Sequence, residues 1–344
     1  MEYRTLGRTG VPVSILCLGC MNFGGVTPEA DALEIIDHAI ENGINFLDTA
    51  DVYTRGVSEE IVGKALKRNG KREAIFLASK AHGRMDDNNI LAAGNNRRHL
   101  IAACEASLTR LQTDHIDLYQ IHRGESQTPI DETLRALDDL IRAGKVRYIG
   151  TSSFQSWSVM ESLWVSRELG LNRFVSEQPP YHLLDRSIER EMVPMALTYG
   201  LAIIPWSPMA RGFLSGKYKR GDEVPGDTRL ARDMSMADAW KRRTQQHFSD
   251  RAYDLLEVLE QLAQEKNCTV AQISIAWCAR QPGITAPIIG PRTMEQLDDN
   301  LGIVGITFTV DDYARIDAVA EPEQAIVPYY AGNMMDFKPP QYRW

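Results

Sequence analysis

The strongest constraint on the fold is a regular alternation of short apolar runs with amphipathic stretches along the chain. The runs are rich in Ile, Val, Leu and Phe, and most are too short for helices, as is typical of strands buried on both faces. Strands that alternate with helices indicate a parallel sheet with helical crossovers. The runs lie at residues 15–18, 45–47, 75–78, 117–121, 146–150, 174–176, 202–205 and 285–289.

The amphipathic stretches carry helix signals. Thr27 and Pro28 predict a helix start with Thr27 as the N-cap, and Gly43 predicts the end of that helix. Thr128 and Pro129 predict a second start of the same kind. Because no Pro/Gly/Ser-rich linker divides the 344 residues, we predict an α/β protein with a single (β/α)8 TIM barrel over residues 1–344. Further helix patterns lie at residues 100–111 and 293–301.

Three segments depart from the alternation. Residues 1–14 predict a β-hairpin that precedes the barrel, and residues 207–248 read as a long polar loop, which in a compact protein is usually functional or mobile. The tail, residues 321–344, contains aromatic residues among prolines and polar residues, without a helix or strand pattern. Two interpretations of this tail stay open: a disordered end, or a loop that closes over the barrel mouth and lines the substrate pocket.

Composition excludes several classes of function. The net charge of −8 and the absence of a Lys/Arg cluster argue against a nucleic-acid partner. No segment approaches the ~20 apolar residues of a membrane helix, so we expect no membrane partner and a cytoplasmic protein. Cys17 and Cys20 form a Cys-x-x-Cys pair that is open to a redox or zinc interpretation, but their place in an apolar run favours buried structural cysteines, and we predict no metal site.

Polar residues follow the apolar runs one after another. Asp48, Lys80 and His122 come just after three successive runs, and Tyr53 lies in the loop beyond Asp48. In an α/β barrel the carboxyl ends of the strands share one face, which carries the active site. The later runs are followed in the same way by Ser152, Ser153, Gln178, Trp206, Ser207, Gly290 and Arg292.

Together, Asp48, Tyr53, Lys80 and His122 have the chemistry that carbonyl reduction requires. A phenol can donate the proton if a neighbouring ammonium stabilises the resulting phenolate, and a carboxylate can hold that ammonium in place. Taken singly, each residue also has a structural interpretation. The Asp–Lys pair is open to a purely structural role, as is the histidine, and the tyrosine to simple surface packing.

At these residues the chain resembles the aldo-keto reductase superfamily, from the hairpin to about residue 320. The likeness is closest to the bacterial reductases and the potassium-channel β subunits. The segment 215–218 (SGKY) is also familiar from that branch. The main matching motifs are residues 18–21 (LGCM), 45–53 (NFLDTADVY), 117–123 (DLYQIHR), 144–150 (GKVRYIG), 205–208 (PWSP) and 287–290 (PIIG).

The resemblance implies a reductase that uses NADPH/NADP+, with Tyr53 as general acid, Lys80 and Asp48 supporting it, and His122 orienting the carbonyl. It implies that Trp206 stacks on the nicotinamide, that Lys217 reaches the pyrophosphate, and that the long loop covers the cofactor. The implied cofactor-binding residues are Cys20, Met21, Asp48, Ser152, Ser153, Gln178, Trp206, Ser207, Pro208, Met209, Ala210, Arg211, Lys217, Arg229, Gly290, Arg292, Gln296, Asp299 and Asn300.

The expected partner is a small-molecule carbonyl substrate, bound by a monomer or weak homo-oligomer. Two other functions stay open: an NADPH-binding regulatory subunit with slow turnover, and an unrelated barrel enzyme such as an isomerase or aldolase. Channel-associated relatives commonly have Asn at the position of His122, which favours an enzyme here. The implied substrate residues are Met21, Phe23, Tyr53, His122 and Arg123, with His82, Tyr181 and residues 326–344 as further candidates for the pocket.

Overall fold

The computed structural model describes residues 1–236 and 238–329. Two strands form an antiparallel hairpin, and eight more form a parallel sheet in the order β10-β3-β4-β5-β6-β7-β8-β9. The strands are β1 Tyr3–Thr5, β2 Pro12–Ser14, β3 Cys17–Gly19, β4 Phe46–Asp48, β5 Phe76–Ala81, β6 Ile116–Ile121, β7 Val146–Ser152, β8 Phe174–Gln178, β9 Ala202–Ile203 and β10 Ile288–Ile289.

The sheet closes into a barrel at β9 and β10. The amide of Thr285 donates to Ile203 O at 2.8 Å, and the amide of Ile288 donates to Pro205 O at 2.7 Å. Closure removes both edges of the sheet. The predicted (β/α)8 barrel and its preceding hairpin are therefore confirmed.

Helices connect successive strands and surround the sheet. One helix follows each of β3 to β8, whereas the crossover from β9 to β10 carries four, and two more follow β10. The helices are α1 Glu29–Glu41, α2 Val57–Asn69, α3 Arg97–Leu111, α4 Ile130–Arg142, α5 Ser156–Leu169, α6 Met192–Tyr199, α7 Arg229–Met234, α8 Asp238–Gln245, α9 Asp250–Glu265, α10 Val270–Arg280, α11 Met294–Leu301 and α12 Val310–Asp317.

The hairpin covers the amino-terminal end of the barrel. Leu6 and Val13 are fully buried in a cluster with Cys17, Phe46 and Phe76, the first residues of β3, β4 and β5. This apolar plug shuts one end of the barrel, so the opposite end, where the strands finish, is the one that carries polar side chains.

Two details of the helix starts differ from the sequence prediction. Pro28 and Pro129 themselves occupy the N-cap positions, each with extended ψ and no side-chain cap bond. Each preceding threonine is one residue too early to cap, because proline holds that residue outside the helix. Thr27 Oγ1 instead donates to Arg292 O at 3.2 Å, and Thr128 Oγ1 to Glu125 Oε1 at 2.5 Å.

The segment 207–248 is not the plain loop that its polar composition predicted. It contains two 3₁₀ helices, at Ala210–Ser215 and Gln246–Phe248, with α7 and α8 between them. Aromatic residues of the segment itself pack together: Phe213 is fully buried and stacks on Tyr218 with ring centroids 5.6 Å apart. Aromatic packing of this kind folds a segment whose overall composition is polar.

Candidate active site

Strands β4 and β5 place Asp48 and Lys80 side by side at the floor of the barrel mouth. Both side chains are buried, and Lys80 Nζ lies 2.5 Å from Asp48 Oδ1. The same ammonium donates to Thr49 O at 2.9 Å and to Tyr53 Oη at 3.2 Å. The three donors of one ammonium are thus directed at three named oxygens, one of which is the phenol.

The second oxygen of Asp48 accepts two amide hydrogen bonds. Gln178 Nε2 donates to Asp48 Oδ2 at 2.8 Å, and Gln120 Nε2 donates to it at 3.0 Å. Gln120 was not assigned from the sequence, although a glutamine within an apolar strand is itself a signal of a buried polar network. A satisfied carboxylate is rigid, so the network fixes the ammonium that it holds.

Two opposing effects act on the ammonium of Lys80. Burial alone lowers the pKa of Lys80, but the attraction of Asp48 and of the Tyr53 oxygen outweighs it, so the pKa lies above that of an ordinary lysine. Lys80 therefore stays charged at neutral pH.

His122 follows β6 and lies edge-on to Tyr53, with ring centroids 5.6 Å apart and an interplanar angle of 84°. Burial, together with the positive charges of Lys80 and Arg123, lowers the pKa of His122 well below its ordinary value. The imidazole is therefore neutral at neutral pH and can donate one hydrogen bond to a neutral oxygen.

A cavity of about 1510 Å³ extends from this floor to the β9–β10 crossover. It exceeds the ~300–1,000 Å³ of an ordinary small-molecule pocket, so there is room for a large cofactor together with a substrate. The sequence-assigned residues on its wall are Met21, Asp48, Tyr53, His82, His122, Arg123, Ser152, Gln178, Trp206, Ser207, Pro208, Met209, Arg211, Lys217, Arg229, Gly290, Arg292, Gln296, Asp299, Asn300 and, from the tail, Tyr329.

Besides Lys80, which is fully buried beneath the floor, five assigned residues lie behind the wall. Cys20, Phe23 and Ala210 are fully buried in the apolar core, and Tyr181 is buried against Trp277 of α10 at 5.3 Å between ring centroids. Ser153 is also fully buried, and its hydroxyl accepts from Arg123 Nη1 and Trp206 Nε1. Its φ of 57° turns the chain away from the extended path at this position.

The far end of the cavity is lined by basic side chains. Arg211 pairs with Asp233. Lys217 is exposed overall, but burial of part of its side chain lowers its pKa, and the charge of Arg292 lowers it further. Burial and Arg211 lower the pKa of Arg229 to about 10. Positive charges that repel one another in this way favour an anionic ligand.

Helix α11 begins at this basic end. Thr293 caps it by accepting from the amide of Gln296, and Gln296 Oε1 accepts from the amide of Arg292 at 2.9 Å. The guanidinium of Arg292 has one described hydrogen bond, to Asp227 O at 3.4 Å. Wall residues that the sequence did not indicate come from strands, loops, the β9–β10 crossover and the first turns of helices: Gly19, Asn22, 124–127, Gly212, Ser215, Arg232, Thr269, Ala271, Ile288, Pro291, Thr293 and Glu295.

The first part of the tail packs against the barrel mouth. The amides of Ile326 and Val327 both donate to Leu184 O at 2.9 Å. The ring of Tyr329 lies edge-on to Trp206, with centroids 5.0 Å apart, and its amide donates to Asp185 Oδ2 at 2.6 Å. Residues 330–344, the rest of the predicted tail loop, lie outside the described residues.

Two features of residues 1–236 and 238–329 bear on other functions. No helix there is long and apolar enough to cross a membrane. No group of three or more His, Cys, Asp or Glu side chains is placed there to hold a metal ion. Cys17 and Cys20 are buried, and burial raises the pKa of each thiol, as expected of structural cysteines.

Comparison with known proteins gives the family. The aldo/keto reductase family model matches residues 15–321. The chain is 40% identical to "Uncharacterized oxidoreductase YrpG" of Bacillus subtilis over 89% of this chain and 92% of that protein. It is 35% identical to versiconal hemiacetal acetate reductase of Aspergillus parasiticus over 94% and 98%. It is 33% identical to a probable voltage-gated potassium channel subunit beta of Arabidopsis thaliana over 89% and 92%.

The chain therefore belongs to the aldo/keto reductase family, and the resemblance drawn from its motifs is confirmed. Membership and the names of these relatives support an oxidoreductase of the carbonyl-reducing class, in a family that generally uses nicotinamide cofactors. An unrelated isomerase or aldolase on the same kind of barrel is thereby set aside.

Proposed function

We propose that this protein reduces an aldehyde or ketone to the alcohol with NADPH, and that Tyr53 donates the proton to the carbonyl oxygen. The observation that carries the proposal is the 3.2 Å contact between Lys80 Nζ and Tyr53 Oη, with the same ammonium held by Asp48. A charged ammonium at this distance stabilises the phenolate that proton donation leaves behind.

The neutral state of His122 supports a role beside Tyr53. A neutral imidazole donates a hydrogen bond to the carbonyl oxygen without placing a second full charge next to Lys80. The carbonyl oxygen would then receive two donors, the phenol and the imidazole, from rings 5.6 Å apart. Two fixed donors orient the carbonyl and stabilise the negative charge that develops on its oxygen.

The wall of the cavity fits a nicotinamide dinucleotide. NADPH supplies the hydride when it is bound. Ser152 and Gln178 would bind the carboxamide of the nicotinamide, and Trp206 would stack on its ring. Lys217 and Arg229 would bind the pyrophosphate. Arg292 would bind the 2′-phosphate, with the first turn of α11 adding positive potential.

The proposal is tested by incubating the purified protein with NADPH and a panel of aromatic and aliphatic aldehydes. We expect fluorescence quenching on NADPH binding, loss of NADPH absorbance on adding aldehyde, and one alcohol per NADPH consumed. Binding of NADPH without turnover of any aldehyde would instead support a regulatory subunit, the function that the name of the plant relative suggests. Absence of nicotinamide binding would contradict both functions.

A further inference from the structure

Arg123 is held rigidly on the wall of the cavity, directly after His122. Its Nη1 donates to His122 O at 3.1 Å and to Ser153 Oγ at 2.7 Å. Ser153 Oγ also accepts from Trp206 Nε1 at 3.3 Å, so one buried hydroxyl connects the arginine with the tryptophan. A guanidinium fixed through one nitrogen loses less freedom when it binds a ligand.

The other edge of this guanidinium has no hydrogen-bond or ion-pair partner within residues 1–236 and 238–329. Nε and Nη2 carry two parallel N–H groups, the geometry that matches two oxygens of one anion. Two other partly or fully buried arginines are neutralised within the chain. Arg186 pairs with Glu189 and Asp317, and Arg211 pairs with Asp233.

Two carboxyl groups near Arg123 are engaged elsewhere. Glu125 Oε1 accepts from the amide of Asn95 at 2.7 Å and from Thr128 Oγ1 at 2.5 Å. Glu177 lies buried behind the wall, where it accepts from Thr151 Oγ1 and from the amide of Phe154. Burial raises the pKa of Glu177 to about 8, against the opposing effects of these hydrogen bonds and of the Arg123 charge. Glu177 makes no described hydrogen bond to the guanidinium, so the Nε–Nη2 edge of Arg123 stays available.

Two neighbouring side chains, Asn95 and His82, bring no acidic group to Arg123. Asn95 Nδ2 donates to Arg123 O at 3.0 Å, which fixes the amide so that Asn95 Oδ1 accepts from His82 Nδ1 at 3.0 Å. His82 therefore carries its hydrogen on Nδ1 and adds no negative charge. With His122 neutral, Arg123 supplies a positive charge next to His122 on the cavity wall.

We propose that the carbonyl substrates of this protein carry an anionic group, a carboxylate or a phosphate, which binds the Nε–Nη2 edge of Arg123. The proposal rests on the proposed reductase function and specifies the substrate class of the same site. Ser153 is a positioning residue in this scheme, because it holds the guanidinium without touching the substrate.

The test compares matched substrate pairs. The probes are 4-carboxybenzaldehyde against benzaldehyde for the carboxylate, and glyceraldehyde 3-phosphate against glyceraldehyde for the phosphate. We expect the anionic member of at least one pair to have the higher kcat/KM, and the pair that shows the larger ratio identifies the anion. Arg123→Leu should lower that ratio by about tenfold to a hundredfold, the range for two charge-assisted hydrogen bonds at a partly screened site. The loss should lie in KM for the anionic substrate.

Three further variants separate charge from geometry. Arg123→Lys keeps the charge without the planar edge and should recover only part of the ratio. Ser153→Ala keeps the whole arginine but releases it, and should lower the ratio by a smaller factor. Arg315→Leu, on α12, removes an equal charge from a surface ion pair with Glu265 of α9 and should leave the ratio unchanged.

Equal ratios in the unmodified protein and in Arg123→Leu would overturn the proposal, as would a preference for the neutral member of both pairs. Either result leaves the reductase function standing, because the neutral aldehydes are still reduced. Failure of all four aldehydes to be reduced would count against the reductase function itself.

Discussion

The two ends of the cavity are built on opposite principles. At the floor, Lys80 and Asp48 are buried, and each is hydrogen-bonded to groups of the same chain. At the β9–β10 end, Lys217 and Arg232 are exposed, and Arg292 makes one long hydrogen bond to a backbone oxygen. The charges at the floor are thus compensated within the chain, whereas these three cations at the basic end remain available to bind a ligand.

This difference has an energetic consequence. Removing one partner of a buried pair leaves an unpaired charge in a low-dielectric site, which costs about 3–5 kcal/mol. Removing an exposed cation costs little stability, because water already solvates it. Substitutions at the floor should therefore affect both catalysis and stability, whereas substitutions of Lys217, Arg232 or Arg292 should affect ligand affinity alone.

The largest expected effect comes from Tyr53→Phe, which removes the proton donor and keeps the ring. We expect turnover to fall by about 10²–10⁴-fold or more, since general acid catalysis and stabilisation of the carbonyl oxygen are both lost. NADPH affinity, measured by fluorescence quenching, should change little. Near-normal turnover would exclude Tyr53 as the acid and would contradict a catalytic role for the floor of the cavity.

Lys80→Met tests whether the floor is catalytic as well as structural. We expect kcat to fall by about 10²-fold and the melting temperature to drop, because Asp48 keeps only its two glutamine partners. The matched control is Arg110→Met, which breaks the ion pair with buried Glu59 outside the cavity wall. If Lys80→Met melts early but keeps its specific activity, as the control should, the pair is structural only.

The raised pKa of Lys80 also fixes the sign of a pH dependence. A lysine whose folded pKa exceeds its unfolded value contributes stability that is fully present below the unfolded value of ~10.4. That contribution is lost as the pH rises through the folded pKa. Between pH 6 and pH 9 the melting temperature should therefore depend on pH in the same way in the unmodified protein and in Lys80→Met.

The residues that the sequence indicated for the floor lie together there, whereas several others do not lie where they were expected, for physical reasons. Asp48, Lys80 and Gln178 stand at the ends of apolar strands, where a polar residue is conspicuous and barrel geometry brings the strand ends together. Ser153 was expected to face the cofactor, but its positive φ turns it into the wall, and strand periodicity carries no information about such a residue. Tyr181 was expected in the pocket, yet a ring from α10, distant in sequence, covers it.

The β9–β10 crossover shows the same limit on a larger scale. Its polar composition predicted a loop, and its fold depends on a few buried aromatic residues such as Phe213. Arg232 and Thr269 reach the cavity only because the crossover folds back over the barrel. Contacts of this kind join residues far apart in sequence, and local patterns do not report them.

Arg292→Ala and Lys217→Ala test the basic end. We expect the unmodified protein to prefer NADPH over NADH by at least tenfold, or ~1.4 kcal/mol, because the two cofactors differ only in the 2′-phosphate. Arg292→Ala should weaken NADPH much more than NADH, whereas Lys217→Ala should weaken both, since the pyrophosphate is common to them. Melting temperatures of both variants should match that of the parent protein.

Titration of each cofactor into the three proteins gives the answer. Equal affinities for NADPH and NADH in the unmodified protein would leave Arg292 as a solvated surface charge. A large loss of stability in either variant would show that the basic end is structural like the floor, contrary to the comparison.

The smallest expected effect concerns the tail, whose Tyr329 lines the cavity and contacts Trp206. An edge-on aromatic pair contributes about 0.5–1.5 kcal/mol beyond the area that it buries, so Tyr329→Ala should raise the KM of a carbonyl substrate by about two- to tenfold. Tyr313→Ala is the control, because Tyr313 lies on α12, off the cavity wall, where its ring contacts that of Phe308 with centroids 5.5 Å apart.

Two truncations extend this test to the rest of the tail. Deletion of residues 323–344 should raise KM in the same way and broaden the substrate range, with little change in NADPH affinity. Deletion of residues 330–344 alone tests the part beyond Tyr329. Unchanged kinetics in Tyr329→Ala and in both truncations would assign the whole tail a role outside the substrate pocket.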